Sequence, residues 1–183
     1  VDNFTIDTTA PSLAATTLVP SLTNDNTPNY TFSSNEAGTI TYGGNCSSST
    51  TAAAADNNTI TFNALGDAQH ANCTITVRDN AGNTSSTLDV NSFTIDTTAP
   101  SLGQVTAVST PDNDSTPSYT FSSTEAGVIT YSGGCGSSSS SATSGNNAVI
   151  LTQSDNSTAL NDGTYNCTIM VTDNASNTSN ALS

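Results

Sequence analysis

The chain has 183 residues and a formal charge of −14, with Arg78 as its sole strong cation and no Lys or Trp. Nucleic acid and anionic membrane both require basic patches, so this surface suits neither, and no apolar run approaches the ~20 residues of a membrane-spanning helix. Leu, Ile, Val and Phe supply 31 residues, about 17%, a share found among disordered chains. Apolar alternation and matched cysteines argue instead for a folded but thinly cored protein.

In chain order, the first landmark is Phe4-Thr-Ile-Asp-Thr-Thr-Ala-Pro-Ser-Leu13, which returns letter for letter from Phe93 to Leu102. The correspondence continues at a spacing of 89 residues from Thr27–Gly38 to Thr116–Gly127, then at 94 from Cys73 to Cys167 and beyond. One loop differs in length, by five residues. Two whole periods fill the chain, as expected of a segment of a longer array with neither a signal peptide nor an end of its own. Residues 1–10 read as the end of a preceding last strand plus a linker, residues 11–96 as the first repeat, and residues 97–183 as a second repeat lacking the end of its own last strand.

Within the first repeat, strands are expected near residues 12–19, 29–33, 38–42, 59–63, 73–77 and 87–95, with an irregular edge at 47–56. Tyr30 and Phe32, Ile40 and Tyr42, Ile60 and Phe62, and Cys73, Ile75 and Val77 fall on alternate positions, which gives each strand one buried face. No ten-residue stretch has a helical period. About seven short strands in roughly 90 residues fit an all-β, immunoglobulin-like sandwich, two in tandem, better than a barrel or propeller.

Cys46 and Cys73 in the first copy, with Cys135 and Cys167 in the second, lack the Cys-x-x-Cys spacing and partner histidines of a zinc site. One disulfide per repeat is expected, and with it a secreted or cell-surface placement. The cysteine before each bond's partner follows the strand at 38–42 rather than the one at 29–33, unlike the bond in antibody domains. Tyr165 stands at the place of a tyrosine corner, where the first copy has Ala71.

The phrases Phe-Thr-Ile-Asp-Thr-Thr-Ala-Pro, Glu-Ala-Gly and Val-x-Asp-Asn-Ala-Gly-Asn-Thr resemble the bacterial Ig-like repeats strung together in giant surface adhesins and other extracellular repeat proteins. The resemblance covers both copies end to end. It implies neighbouring Ig-like repeats as partners and a stalk, spacer or filament role.

Glu occurs only at Glu36 and Glu125, the same place in both copies, and three aspartates also recur: Asp7 with Asp96, Asp25 with Asp114, and Asp79 with Asp173. These are eight of the fifteen carboxylates. Strand direction puts the entering linker, the loop after residue 33 and the loop after residue 77 at one end of a sandwich. Asp7, Glu36 and Asp79, and likewise Asp96, Glu125 and Asp173, would then converge, with Asp25 facing the second trio across the interdomain junction. Carboxylates gathered without cations repel or recruit a hard cation, and calcium, with its oxygen shell, is the natural candidate. That expectation rests on topology and on the resemblance, since no EF-hand spacing is present. Beside it stands the plainer reading that Asp and Asn initiate turns. Asp79-Asn-Ala-Gly-Asn83 suits a tight hairpin, and the Thr-Pro context of Asp25 and Asp114 favours turns there.

Catalytic signatures are lacking: there is no Gly-x-Ser-x-Gly or Walker loop, and the one histidine, His70, reads as a surface residue. Arg78 reads as a local solvated charge and Ser137–Ser141 as a flexible polar edge loop. The leading functional expectation is a non-enzymatic module of an extracellular array, an adhesin stalk or filament shaft, rigidified by calcium at the interdomain junction. A second is a subunit that polymerises head to tail by donating Val1, Phe4 and Ile6 as a strand. A carbohydrate-binding head is less favoured, because core alternation accounts for most of the aromatics.

Overall fold

The computed structural model of the chain describes residues 2–183, and these form two units, residues 2–97 and 98–183. Each is all-β. Unit 1 contains β1 (Leu13–Thr17), β2 (Leu22–Thr23), β3 (Asn29–Ser34), β4 (Gly38–Gly43), β5 (Ala52–Ala53), β6 (Asp56–Thr61), β7 (Ala68–His70), β8 (Thr74–Arg78), β9 (Leu88–Asp89) and β10 (Phe93–Ile95). One sheet has the order β1-β3-β6 and the facing one β5-β4-β8-β9. The alternation read from the sequence becomes their shared core: Tyr30, Phe32, Ile60, Ile75 and Val77 are fully buried, and Ile40 and Cys73 nearly so. Tyr42 is only half-buried because its hydroxyl donates to Thr50 O at 2.6 Å, at the edge beside β5.

The last strand departs from the expected run over residues 87–95. It is broken in two: β9 pairs with β8, whereas β10 runs parallel to β2 and antiparallel to β7 in a third, small sheet of order β2-β10-β7. Asn91 sits at the break. Its Oδ1 accepts from Val19 N–H at 3.2 Å and its Nδ2 donates to Val19 O at 2.8 Å, so a side chain replaces the ladder while the strand changes sheet.

Unit 2 contains β11 (Leu102–Thr106), β12 (Ser118–Ser123), β13 (Gly127–Ser132), β14 (Cys135–Gly136), β15 (Ser141–Ala142), β16 (Gly145–Ile150), β17 (Thr152–Gln153) and β18 (Thr168–Thr172). Its sheets, β11-β12-β16 and β15-β13-β18, repeat the first unit's pairing almost residue for residue, and β14 pairs with β17. Among the described residues it has no counterpart of β2, β7 or β10. The longer loop closes on Asp155, whose carboxylate accepts from Ser157 N–H at 2.9 Å, Thr158 N–H at 2.8 Å and the Thr158 hydroxyl. Those bonds, led by that hydroxyl, hold the Asp155 carboxyl down at about 2.

Two expectations are corrected here. His70 is not a surface residue: it is 6% exposed, its ring stacks on Phe93 at 5.3 Å, and its Nε2–H donates to Gly66 O at 3.1 Å. It also stands where the tyrosine corner was sought. Leu65 and Leu160 each donate N–H to the same place in the fold, Asn26 O and Ser115 O, which aligns His70 with Tyr165. The Tyr165 hydroxyl accordingly bonds Asn161 O, four residues back, as His70 bonds Gly66 O. A one-residue deletion next to Tyr165 hid this equivalence in the sequence.

Candidate functional site

The turn after β8 is built by Asp79. Its Oδ1 accepts from Gly82 N–H at 2.7 Å and Asn83 N–H at 2.9 Å, its Oδ2 accepts from Asn83 Nδ2 at 2.9 Å, and its own N–H donates to Asn83 O. Burial alone would raise the Asp79 carboxyl, but the Asn83 side chain and the N–H groups of Asn83, Gly82 and Ala81 outweigh it and hold the carboxyl below the ordinary aspartate range. The carboxylate is thus both a turn former and a fixed, buried negative charge.

Glu36 is brought beside it by the Glu-Ala-Gly phrase. Gly38 opens β4 so close to β8 that a Cβ there would lie 2.3 Å from Arg78 O, and only glycine permits the approach. Ser34, buried at the end of β3, fastens the corner: its hydroxyl donates to Glu36 O at 2.6 Å. Asp7 comes from the leading segment. Its carbonyl accepts from Asn83 Nδ2 at 3.2 Å, and its carboxylate accepts from Thr9 N–H at 3.0 Å. Asp7, Glu36 and Asp79 each present an oxygen, all within 4.8 Å of one another.

In unit 2 the same parts recur. Ser123 donates to Glu125 O at 2.6 Å, Gly127 would clash with Thr172 O at 2.3 Å if it carried a Cβ, and Asp173 accepts from Asn177 N–H and Nδ2, both at 2.9 Å. Glu125 and Asp173 present oxygens within 4.8 Å of each other. Asp96, the sequence counterpart of Asp7, follows β10 and donates its N–H to Thr23 O at 3.0 Å.

The family model that matches residues 1–97 is that of the bacterial Ig-like domain. The chain belongs to the bacterial Ig-like domain family. No curated protein matches the chain.

In this bacterial Ig-like domain the remaining expected site residues separate by role. Asp25 and Asp114 join no carboxylate cluster among the described residues. Asp25 Oδ1 instead accepts from Thr27 N–H at 2.9 Å and its hydroxyl at 3.1 Å, and Asp114 does the same for Thr116 at 2.8 and 3.1 Å. Both are Asx-turn residues. Cys46 is bonded to Cys73 and Cys135 to Cys167, with Cα atoms 5.2 and 5.5 Å apart, so each repeat has its own staple. Val1 lies outside the described residues. Phe4 and Ile6 are 74% and 75% exposed.

Sequence reasoning missed Asn83 and Asn177, which anchor the two buried aspartates. The phrase Asp-Asn-Ala-x-Asn, repeated at 79–83 and 173–177, carried that signal. Chemically, the trio brings together three hard carboxylate oxygens, one from each residue, and such a set suits a hard cation rather than a soft one.

Proposed function

We propose that this chain is a non-catalytic structural module of a long extracellular repeat array, an adhesin stalk or filament shaft, and that calcium at the Asp7, Glu36 and Asp79 oxygens stiffens it. The observation that carries the reading is the meeting of a leading-segment carboxylate with two carboxylates held by separate turns at one end of the sandwich. A cation bound there would tie residues 1–10 to the body of the repeat and offset the mutual repulsion of three charges. By the 89- and 94-residue spacing, Asp96, Glu125 and Asp173 would perform the same task in the second repeat. Neighbouring Ig-like repeats are the partners this role implies.

Two further features support it. Each repeat holds a disulfide, a bond that persists outside the reducing cytoplasm, and the family is one of structural modules. The one histidine is buried, stacked on Phe93 and bonded to Gly66 O, as a packing residue is.

Thermal unfolding in calcium and in excess chelator tests the proposal. With a Kd on the order of 10⁻⁴–10⁻³ M, 10 mM calcium adds about 1.4–2.7 kcal/mol, or a rise of roughly 6–20 °C in unit 1's midpoint. Glu36→Gln with Asp7→Asn should abolish the rise while leaving the Asp79 turn intact. An unchanged midpoint in calcium would sink the cation.

A further inference from the structure

We propose that unit 2 binds a short neutral oligosaccharide in a cleft that its longer loop builds against the open edge of β13. This goes beyond the array role, requires no cation, and stands on a loop that unit 1 does not have.

The edge comes from the short reach of β15. That strand pairs with β13 at Gly127 and Val128, and Ile129 N–H then donates to Ser140 O at 2.9 Å. Among the described residues, Thr130–Ser132 pair only with β18, on the other side. The chain then turns through Gly133 and Gly134, both at positive φ, into β14. The longer loop supplies the opposite wall. It leaves β17, the partner of β14, and Asp155 pins its turn through Ser157 N–H, Thr158 N–H and the Thr158 hydroxyl. Asn156 follows at a left-handed φ of +64°, and its Oδ1 accepts from Ser137 N–H at 3.2 Å. The loop lies so close on β14 that a Cβ at Gly136 would be 2.7 Å from Gln153 O and closer still to Asn156 Oδ1. Between these walls lies a cleft of about 520 Å³, within the usual range of small-molecule sites.

The lining decides the class of ligand. Among the described residues that line the cleft none is charged, and Ile129 is the one aliphatic side chain. Asp155 stands between the lining residues Ser154 and Asn156, but its carboxylate is turned into its own loop. An anion would find no cation here, a metal ion no carboxylate, and an apolar ligand little to pack on. What remains is uncharged and hydrogen-bonding. The exposed hydroxyls of Thr130 and Ser154 and the Asn156 Nδ2 make no hydrogen bond to other described residues. Tyr131 adds an aromatic surface, half-buried and fixed by its hydroxyl on Ser139 O at 2.8 Å. Hydroxyls that both donate and accept, a carboxamide donor and an anchored ring complement a sugar, which presents hydroxyls around a C–H face. The repeat pattern agrees. The sheets of unit 2 keep the pairing of unit 1 while one loop lengthens by five residues, a change confined to the surface, where binding loops sit.

The test is an NMR titration of the 183-residue chain, in chelator so that calcium plays no part, with maltotriose, cellotriose, mannotriose and triacetylchitotriose, and with trigalacturonate as an anionic sugar. At least one neutral sugar should shift the amides of Tyr131, Gly133, Gly134 and Asn156, with a Kd of about 1–10 mM for so open a cleft. Gly43 and Gly44, at the same turn of unit 1, should not move. Asn156→Asp keeps the oxygen that accepts from Ser137 and exchanges the free amide for a carboxylate, so binding should weaken by about tenfold. Thr130→Val removes an exposed hydroxyl that the fold does not use and should weaken binding by about threefold. The sugar-free spectrum of each variant, unchanged away from the substitution, shows that its fold is kept. No cleft shift from any of the four neutral sugars at about 50 mM would overturn the site. Undiminished binding by Asn156→Asp would overturn the place assigned to the ligand. Trigalacturonate bound as tightly as the neutral sugars would overturn the class, and equal shifts at Gly43 and Gly44 would overturn the part played by the longer loop.

Discussion

In unit 1 the Phe-Thr-Ile strand lies between β2 and β7, and one buried cluster of fourteen residues runs from Val19 to Ile95; in unit 2, whose central strands pair in the same register as β1-β3-β6 and β5-β4-β8, the corresponding cluster has seven. The central sheets are not the source of that gap. Phe32 and Phe121 are both fully buried, as are Val77 and Val171. The difference lies at one edge, where β10 and the residue after β9 add Phe93, Ile95 and Val90 to a cluster that includes Val19, Tyr30 and Cys73. A three-residue strand thus organises a whole side of the domain, because it supplies both ladders of the third sheet and the aromatic link that runs from Tyr30 through Phe62 and Phe93 to His70.

The comparison breaks most sharply at Phe93. Phe93→Ala removes a side chain stacked on both Phe62 and His70, and a loss of about 3–5 kcal/mol is expected for a large-to-small change at such a site. Unit 1 should then resemble unit 2: its unfolding midpoint should drop towards that of unit 2, and the amides of Ala68–His70 should lose protection. Urea unfolding followed by backbone NMR resolves the two transitions. A Phe93→Ala unit 1 that still unfolds well after unit 2 would show that β10 is not what separates them.

The disulfides sharpen the same contrast. Cys46–Cys73 spans 27 residues and Cys135–Cys167 spans 32, so chain entropy assigns each bond a similar contribution of about 3.5 kcal/mol. Equal contributions matter unequally when the cores differ. Reduction should unfold unit 2 at a denaturant concentration where unit 1 still holds its structure, and Cys135→Ala with Cys167→Ala should be the more damaging of the two double substitutions. Simultaneous loss of both units on reduction would contradict the core comparison.

Much of this was legible in the chain. Alternation at Tyr30, Phe32, Ile60, Ile75 and Val77 is a local signal, and burial of one strand face follows from it directly. The recurrence of Glu36 and Glu125 and of Asp79 and Asp173 located the carboxylates, because a repeated residue in a sequence otherwise free to drift marks a repeated place in the fold. The crossing of the last strand was not legible. Nothing in Val90-Asn-Ser-Phe93 departs from a continuous strand, and the break depends on Asn91 bonding Val19, 72 residues away in sequence. His70 was misjudged for the related reason that its burial comes from Phe93, a contact that no local pattern encodes. Asp25 and Asp114 recur as the acidic trios do, and their bonds to Thr27 and Thr116 show that a recurring aspartate marks a repeated turn as readily as a shared site.

The smallest expected effect lies at the carboxylate-bearing turns, where the two units differ by one side chain. Gly82 adopts φ +98°, whereas its counterpart Ser176 holds a left-handed φ of +76° despite its Cβ. Glycine takes that conformation without the steric cost of roughly 1–2 kcal/mol borne by other residues, but loses about 0.5–1 kcal/mol more conformational entropy on folding. Ser176→Gly should therefore stabilise unit 2 by about 0.5–1 kcal/mol, a rise of roughly 2–8 °C in its midpoint. The reciprocal Gly82→Ser should lower unit 1 by a similar amount, with the flexible Arg78 guanidinium, 3.0 Å from the new Cβ, moving aside. Opposite signs for the two substitutions would place the difference in the backbone of the turn. If both destabilise, the Ser176 side chain contributes contacts that offset its strain, and the two turns are less alike than the shared bonds of Asp79 and Asp173 suggest.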